Sequence, residues 1–300
     1  MTKEQLFFQL VEKLSSDKLF YGHAVIDQED EAMMVAMHVF KQEVNEVLSS
    51  GNQLVSQSEI DSANSIVETR LSTLKPMAYI LGEVSFCGFR FKSDERALVP
   101  RSPIAELIKN GFQPWLDISQ VLTALDLCTG SGCIGLAIAK NFDHIKVDVS
   151  DISQKALTLA QENKNLLSAN IGIIQSDLFA QINRTYDLIV TNPPYVSDEE
   201  YSELPEEFKQ EPKLGLTSEC SGLKIPVEIM LKASKYLNDN GHLFLEVGYS
   251  DEALDKAFPQ INIEWIDFLN GGQGVCVFSK QMLLEYQHLF KSFLEIKDVI

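Results

Sequence analysis

A glycine-rich turn between a predicted strand and a predicted helix constrains the fold of this chain more than any other feature. The apolar run 121–128 reads as a buried strand, and it leads into the turn TGSGCIG at 129–135 and then into a helical segment. Glycines in such a turn let the backbone approach a ligand closely, and this order of elements opens nucleotide-binding α/β units. Because predicted strands and helices continue to alternate after residue 101, we predict a doubly wound, mainly parallel sheet.

Acidic residues follow the next two predicted strands. Asp151 follows the strand 146–150, and Asp177 and Leu178 come shortly after the strand 171–175. A carboxylate at the first of these strand ends is placed to accept hydrogen bonds from ribose hydroxyls. The second is placed to receive an adenine amino group while Leu178 packs on the ring. The sequence therefore predicts a site for an adenosine group at the carboxyl edge of the sheet.

The tetrad Asn192-Pro193-Pro194-Tyr195 ends the fourth predicted strand, the apolar run 186–191. Two successive prolines cannot donate to a sheet ladder, and Pro194 holds Pro193 in an extended conformation. The resulting stiff corner can accept both hydrogens of a planar NH2 group, one at the Asn192 side-chain oxygen and one at a proline carbonyl. A carboxamide and the amino group of adenine both fit this corner, so the tetrad leaves two substrate classes open.

Two cofactor classes are compatible with the glycines. Gly130, Gly132 and Gly135 match the spacing of dinucleotide-binding loops, which on its own is a weak signal for a nicotinamide cofactor. Asp126 stands just before the loop, where its carboxylate would repel a pyrophosphate but could face a cation or a ribose. S-adenosylmethionine carries a sulfonium and an amino group and has no phosphate. We therefore favour S-adenosylmethionine over a nicotinamide cofactor.

The chain resembles the class I S-adenosylmethionine-dependent methyltransferases that modify planar amino groups. Within them it is most similar to the bacterial protein-glutamine methyltransferases, in the branch that methylates a large-subunit ribosomal protein. The resemblance covers nearly the whole chain, and beyond the features above it rests on FYGH at 20–23, DEA at 30–32, PMAYILG at 76–82, LVPRSPIAE at 98–106 and GGQGV at 271–275. The last two segments disfavour the branch that modifies release factors, which stays open as an alternative.

The resemblance implies a reaction and a set of site residues. The expected reaction moves a methyl group from S-adenosylmethionine to the side-chain amide nitrogen of a glutamine in the third large-subunit ribosomal protein. Asn192, Pro193 and Tyr195 are expected to act in catalysis, and together with Pro194 to bind the substrate. The expected cofactor-binding residues are Asp126, Cys128, Thr129, Gly130, Ser131, Gly132, Asp151, Asp177, Leu178 and Asn192. The loop 213–222 reads KLGLTSECSG and departs from the family's usual Ala-Leu pair and Gly-x-Asp-Gly turn.

The charge distribution favours a basic protein as the substrate. The chain has a net charge of −18, and acids outnumber bases in residues 1–100 (15 against 9) and in residues 101–300 (28 against 16). Nucleic-acid binders usually carry a basic face, because phosphate neutralisation supplies much of their affinity. Ribosomal proteins are typically basic, so an acidic surface attracts them. An adenine-N6 methyltransferase of nucleic acids is therefore a disfavoured alternative, and we expect no direct nucleic-acid substrate.

Composition and cysteine usage argue against several other protein classes. No run approaches eighteen apolar residues and the N-terminus has no basic-then-apolar leader, so we expect a soluble, cytoplasmic protein with no membrane partner. The five cysteines include no Cys-x-x-Cys pair and the five histidines are scattered along the chain. We therefore expect neither a disulfide framework nor a metal site.

The pattern of predicted elements divides the chain into three parts. We expect a small helical domain at 1–74, a hairpin linker at 75–100 and the methyltransferase domain at 101–300, and the resemblance links the first part to recognition of the protein substrate. Thr2 and Gln5 form a possible capping box ahead of the first helix. Further elements are expected as helices at 30–48 and 58–74, a hairpin at 84–91, a fifth strand at 241–248, and a terminal strand pair at 263–268 and 275–278.

Overall fold

The structure is a computed structural model that describes residues 1–22 and 25–297, and its first part is a cluster of helices. These helices are α1 (Lys3–Leu14), α2 (Gln28–Phe40), α3 (Val44–Ser49), α4 (Gln57–Thr73) and α5 (Met77–Leu81). Leu6 and Leu10 of α1 are fully buried in the same hydrophobic cluster as Val35 of α2 and Val67 of α4. The helices thus bury their apolar faces in a core of their own. His23 of the FYGH segment lies outside the described residues.

The start of α1 and the end of α2 test two of the sequence predictions. The capping box is confirmed, because Gln5 N donates to Thr2 Oγ1 (3.2 Å) and Thr2 N donates to Gln5 Oε1 (2.9 Å). The prediction of one helix over 30–48 is wrong, because α2 ends at Phe40 and Lys41 has a φ of 54°. A residue in this left-handed conformation cannot continue a right-handed helix, so α3 starts as a separate helix.

A buried ion-pair cluster joins the helical part to the rest of the chain. Arg70 of α4 and Glu31 of α2 are almost completely buried, and Arg70 Nε donates to Glu31 Oε1 (3.0 Å). Arg70 Nη1 also lies 3.5 Å from Glu207 Oε1. The same Glu207 oxygen accepts a hydrogen bond from Phe20 N (2.7 Å). Removing one member of a buried charge cluster leaves the other charges uncompensated. This cluster therefore fixes how the helices sit against the segment around Glu207.

A short hairpin leads from the helices into a large sheet. The hairpin pairs β1 (Glu83–Phe86) with β2 (Phe89–Lys92), as the sequence predicts. The sheet contains β3 (Thr123–Leu127), β4 (Lys146–Asp151), β5 (Ile171–Gln175), β6 (Tyr186–Thr191), β7 (Leu237–Glu246), β8 (Glu264–Trp265) and β9 (Val275–Ser279). Its order is β5-β4-β3-β6-β7-β9-β8, parallel from β5 to β7, with β9 antiparallel to both of its neighbours. The predicted doubly wound, mainly parallel sheet is confirmed.

Helices cover both faces of this sheet and explain the apolar runs of its strands. One face carries α6 (Ile104–Lys109), α7 (Cys133–Asn141) and α8 (Gln154–Leu166). The other face carries α10 (Lys224–Ala233), α12 (Lys280–Glu285) and α13 (Gln287–Lys297). Two further helices follow strands, α9 (Asp198–Glu203) after β6 and α11 (Asp251–Ala257) after β7. Along β6, Leu188 and Val190 enter one core and Ile189 enters the other. A strand buried on both faces is apolar along most of its length. Within residues 1–22 and 25–297, no helix combines the length and apolarity that a membrane span requires.

Gly135 lets α7 approach the sheet closely. A Cβ atom at this position would lie 2.4 Å from Val149 Cγ1 and 3.0 Å from Asp126 Cβ. The Gly135 N–H also donates to Asp126 Oδ2 (2.8 Å). The third glycine of the turn is therefore needed for helix–sheet packing, which sets the position of the whole turn at the edge of the sheet.

We predict that Gly135→Ala lowers the free energy of unfolding. The added methyl overpacks the contact with Val149, which costs about 1–3 kcal/mol and outweighs the gain in helix propensity of at most about 1 kcal/mol. Gly51→Ala is the control, because its Cβ would meet nothing closer than 3.4 Å. Urea denaturation of both variants measures the difference. Equal stability of the two variants would contradict this account of Gly135.

Candidate active site

A cavity of about 300 Å³ opens at the carboxyl ends of the parallel strands. The predicted site residues that line it are Cys128, Thr129, Gly130, Ser131, Asp151, Asp177, Leu178, Asn192, Pro194 and Tyr195. Carboxyl ends of parallel strands meet at one edge of a sheet, which is where open α/β sheets bind ligands. Three predicted residues, Asp126, Gly132 and Pro193, do not line this cavity.

Asp126 lies beneath the glycine turn. Its side chain is only 1% exposed, and its Oδ2 accepts hydrogen bonds from the Thr129 hydroxyl and from Gly135 N. Burial raises the pKa of the Asp126 carboxyl to about 7. Both donors lie on the side of the turn that faces the sheet, so the carboxylate holds the turn in place. This placement differs from the expectation that Asp126 faces the cofactor.

The backbone of the glycine turn takes conformations that few residue types adopt. Cys128, Gly130 and Gly132 have φ values of 60°, 57° and 83°. Gly132 forms the N-cap of α7, and a Cβ there would lie 3.1 Å from Ala160 Cβ, which explains why it packs inward instead of lining the cavity. The turn therefore presents backbone and small side chains to the cavity, with little bulk to exclude a ligand.

Asp151 connects the glycine turn to the next strand end. Its Oδ2 accepts a hydrogen bond from Gly130 N (2.9 Å) and its Oδ1 accepts one from Ser153 N (2.8 Å). Burial raises the pKa of this carboxyl above its ordinary value. Each carboxylate oxygen can accept a second hydrogen bond, so Asp151 is rigidly oriented and still able to accept from a hydroxyl group in the cavity.

A tight turn at 176–181 places Asp177 and Leu178 at the edge of the cavity. Leu178 has a φ of 45°, and Ser176 Oγ donates to its carbonyl (2.6 Å) while accepting from Gln181 N (3.0 Å). Asp177 is exposed and Leu178 is half-buried, and both line the cavity together with Ile152. The arrangement offers one carboxylate beside two apolar side chains, which suits a flat ring with an amino substituent.

The proline tetrad is anchored through its backbone. Pro193 is buried, which is why it does not line the cavity with its neighbours. Tyr195 N donates to the Leu216 carbonyl (3.1 Å), and Ser250 Oγ donates to the Tyr195 carbonyl (2.8 Å). A Cβ at Gly248 would lie 2.5 Å from Tyr195 Cε2, so the ring packs directly on that glycine. These contacts hold the corner rigid.

The atypical loop 213–222 lies against the tetrad. The Leu216 carbonyl accepts from both Tyr195 N and Val196 N, and Ser218 N donates to the Val196 carbonyl (2.9 Å). Gly222 has a φ of 82°, and a Cβ there would lie 2.0 Å from the Tyr195 carbonyl oxygen. The loop thus ends in a glycine that the corner requires.

Sequence reasoning missed Glu246, the last residue of β7. Its side chain is 5% exposed, it lines the cavity, and Ser102 Oγ donates to its Oε2 (2.5 Å). Burial raises the pKa of this carboxyl to about 7, and the side chains of Asn192 and Tyr195 act in the opposite direction by favouring its ionised form. The sequence did contain a signal that could have identified Glu246, namely an acidic residue at the end of a strand. The same signal identified Asp151.

The charges around the cavity favour a cationic ligand over a phosphate. Both arginines that line the cavity are already paired, because Arg96 lies 2.6 Å from Asp94 and 2.8 Å from Glu162, and Arg101 lies 2.9 Å from Glu211. No lysine is among the described residues that line it. A pyrophosphate is normally bound by free cations or by a helix N-terminus open to it. The nicotinamide alternative is thus weakened by the charges as well as by the tetrad.

Comparisons with known proteins agree with this geometry. The family model described as methyltransferase small domain matches residues 115–263. A ribosomal protein uL3 glutamine methyltransferase of Xylella fastidiosa strain Temecula1 is 43% identical over 265 residues, which cover 88% of this chain and 85% of that protein. The enzyme of the same name from Francisella tularensis subsp. tularensis is 38% identical over 293 residues, which cover 95% of this chain and 92% of that protein.

A solved structure shows the same fold. The catalytic domain of hMettl16, in complex with MAT2A 3'UTR hairpin 6, matches with a TM-score of 0.51 and 14% identity over 75% of this chain and 82% of that one. At this identity the likeness concerns the fold alone. The relatives above are far more similar and are matched over most of their length. The chain therefore belongs to the family of ribosomal protein uL3 glutamine methyltransferases.

Proposed function

We propose that this protein transfers a methyl group from S-adenosylmethionine to the side-chain amide nitrogen of a glutamine in ribosomal protein uL3. One observation carries the proposal: a single cavity is lined on one side of β3 by Asp151 and Asp177 and on the other side by Asn192 and Tyr195. The first pair suits an adenosine group and the second suits a planar NH2 group. Relatives that are 38–43% identical over most of the chain are named for this activity.

The lining residues fit S-adenosylmethionine. Asp151 would accept hydrogen bonds from the ribose hydroxyls, and Asp177 would accept one from the adenine amino group. Ile152 and Leu178 would pack on the adenine ring. Acids that line the cavity, while its arginines are paired, suit a ligand with positive charge. When bound, this cofactor supplies an electrophilic methyl group.

The chain's own contribution to the reaction is positioning. An amide nitrogen is a weak nucleophile, because its lone pair is delocalised into the carbonyl group. Asn192 Oδ1 would hold one amide hydrogen and aim the nitrogen into the cavity. The predicted acceptor of the other hydrogen is the carbonyl of Pro193, a buried residue next to the cavity lining. Tyr195 would exclude water as a neutral phenol, because burial raises its pKa above the ordinary value. Near-attack positioning of this kind can lower a barrier by roughly 7–11 kcal/mol.

The helical domain would contribute to recognition of the protein substrate. Arg70 in that domain lies 3.5 Å from Glu207, which belongs to the segment that follows the tetrad. A substrate held by the helices would therefore be held at a fixed position relative to the catalytic corner. The net charge of −18 suits a basic ribosomal protein, and such a substrate implies a cytoplasmic location. A release factor or a nucleic-acid adenine would need different recognition, so both are disfavoured.

We predict that Asp151→Ala weakens S-adenosylmethionine binding about tenfold to a hundredfold. The loss of a hydrogen bond to a charged group costs roughly 1.5–3 kcal/mol. Asp143→Ala, at an exposed position before β4, is the matched control and should bind normally. Titration calorimetry measures both affinities, and thermal unfolding verifies that each variant is folded. Unchanged affinity of a folded Asp151→Ala protein would remove this residue from the ribose site.

We predict that Asn192→Ala keeps most of the cofactor affinity and loses turnover by about a hundredfold or more. The reason is that the lost oxygen contacts the reacting NH2 group, and a preorganised contact of this kind is worth about 10²–10³ in rate. Asn165→Ala on the exposed face of α8 is the matched control. Methyl transfer to uL3 and calorimetric binding are measured on the same preparations. Near wild-type turnover, or a loss of cofactor binding alone, would contradict the assigned role.

We predict that the purified enzyme methylates a glutamine side chain of uL3 and acts poorly on release factors and on naked DNA. The net negative charge of this chain and the substrate named for its relatives motivate this order of preference among the three substrates. Mass spectrometry of each substrate after incubation with S-adenosylmethionine locates the added methyl group. A methyl group on adenine, or only on a release-factor glutamine, would overturn the proposed substrate.

A further inference from the structure

We infer that Glu246 is a positioning residue, whose carboxylate orients the Asn192 side chain so that its oxygen faces the cavity and its NH2 group faces the protein. The inference rests on the proposed function, since it concerns how the tetrad presents its acceptor oxygen to an amide substrate. The corner formed by Asn192 and Pro193 would bind such a substrate only in this orientation. In the opposite orientation Asn192 would place two hydrogens against the two hydrogens of the substrate.

The sheet register places the two residues side by side. Thr191 of β6 is paired with Leu245 of the parallel strand β7. Asn192 and Glu246 each follow directly, one residue beyond this pair. Equivalent residues of adjacent parallel strands point to the same side of a sheet. Both residues line the same cavity, and the Asn192 side chain lowers the pKa of Glu246, which means that it favours the ionised carboxylate.

The polar groups around Glu246 determine how the Asn192 side chain faces it. Ser102 Oγ donates to Glu246 Oε2 at 2.5 Å, and the Tyr195 side chain also favours the ionised carboxylate. The ionised carboxylate only accepts hydrogen bonds. An asparagine can donate only through its NH2 group, so a hydrogen bond to ionised Glu246 requires that group. The Asn192 oxygen is then left for the substrate.

The protonation state of Glu246 should therefore control turnover. Arg101, which is paired with Glu211, and the side chains of Ser102, Tyr195 and Asn192 favour the ionised form, whereas burial raises the pKa to about 7. Protonated Glu246 can donate to the Asn192 oxygen, which favours the opposite orientation. Turnover should be highest when Glu246 is ionised, and it should fall as the pH drops through about 7.

The test compares Glu246→Gln with the wild-type enzyme. A glutamine at this position has the same size but brings an NH2 group that competes for the Asn192 oxygen. We expect kcat to fall about tenfold to a hundredfold, as for the loss of a charged hydrogen bond, with unchanged affinity for S-adenosylmethionine. The decline of turnover below about pH 7 should become shallower, because only the part that arises from Asp126, whose pKa is also about 7, remains. Glu252→Gln, at an exposed residue paired with Lys256, is the matched control and should behave as wild type.

Three outcomes would overturn the inference. They are a folded Glu246→Gln enzyme with wild-type kcat, a defect confined to cofactor affinity, and a wild-type kcat that stays constant between about pH 5.5 and 8.5. The last measurement needs no variant, so the inference can be tested even if Glu246→Gln does not fold. Absence of wild-type methylation of uL3 would count against the proposed function, whereas wild-type methylation with an unaffected Glu246→Gln variant counts against Glu246 alone.

Discussion

The parallel pairing of β3 with its neighbours β4 and β6 is the constraint on which the site depends. Parallel strands bring their carboxyl ends to one edge, so residues that are distant in sequence become neighbours without any contact between their loops. Asp151 ends β4, Asn192 follows β6, and Glu246 ends β7, which pairs in parallel with the other edge of β6. Helices on both faces bury most residues of these strands, which fixes their register and therefore the relative heights of the three side chains.

Buried carboxylates then hold the irregular segments in place above that edge. Asp126 binds the glycine turn, Glu207 binds Phe20 and Arg70 of the helical part, and Glu211 accepts from Val99 N (2.8 Å). Each carboxylate accepts hydrogen bonds from backbone or charged donors, which offsets the cost of burying it. In our proposal the same chemistry, at Glu246, acts on the corner formed by the tetrad.

The sequence predicted β3 to β6 well because a strand that is buried on both faces leaves a nearly continuous apolar run. The run 186–191 coincides with β6. The predicted strand at 263–268 was too long, because β8 spans only Glu264–Trp265, and the strand predicted at 241–248 is Leu237–Glu246. The sequence did not predict the break between α2 and α3, because a lysine such as Lys41 carries no signal for a left-handed conformation.

The direction of a side chain was also beyond sequence reasoning. Asp126 was expected to face the cofactor, but its direction depends on the fold of the turn back over β3. Glu246 was overlooked because its partners Ser102 and Asn192 come from distant parts of the chain. Such partners are visible only once the strands have been placed beside one another.

The central claim, that the Asn192 oxygen holds the amide of the substrate, has a direct test. It is a structure of the enzyme with S-adenosylhomocysteine and a glutamine peptide of uL3, at a resolution that separates oxygen from nitrogen. The account predicts Asn192 Oδ1 within about 2.7–3.2 Å of the glutamine side-chain nitrogen. A glutamine side chain outside the cavity, or one that faces the NH2 group of Asn192, would contradict it.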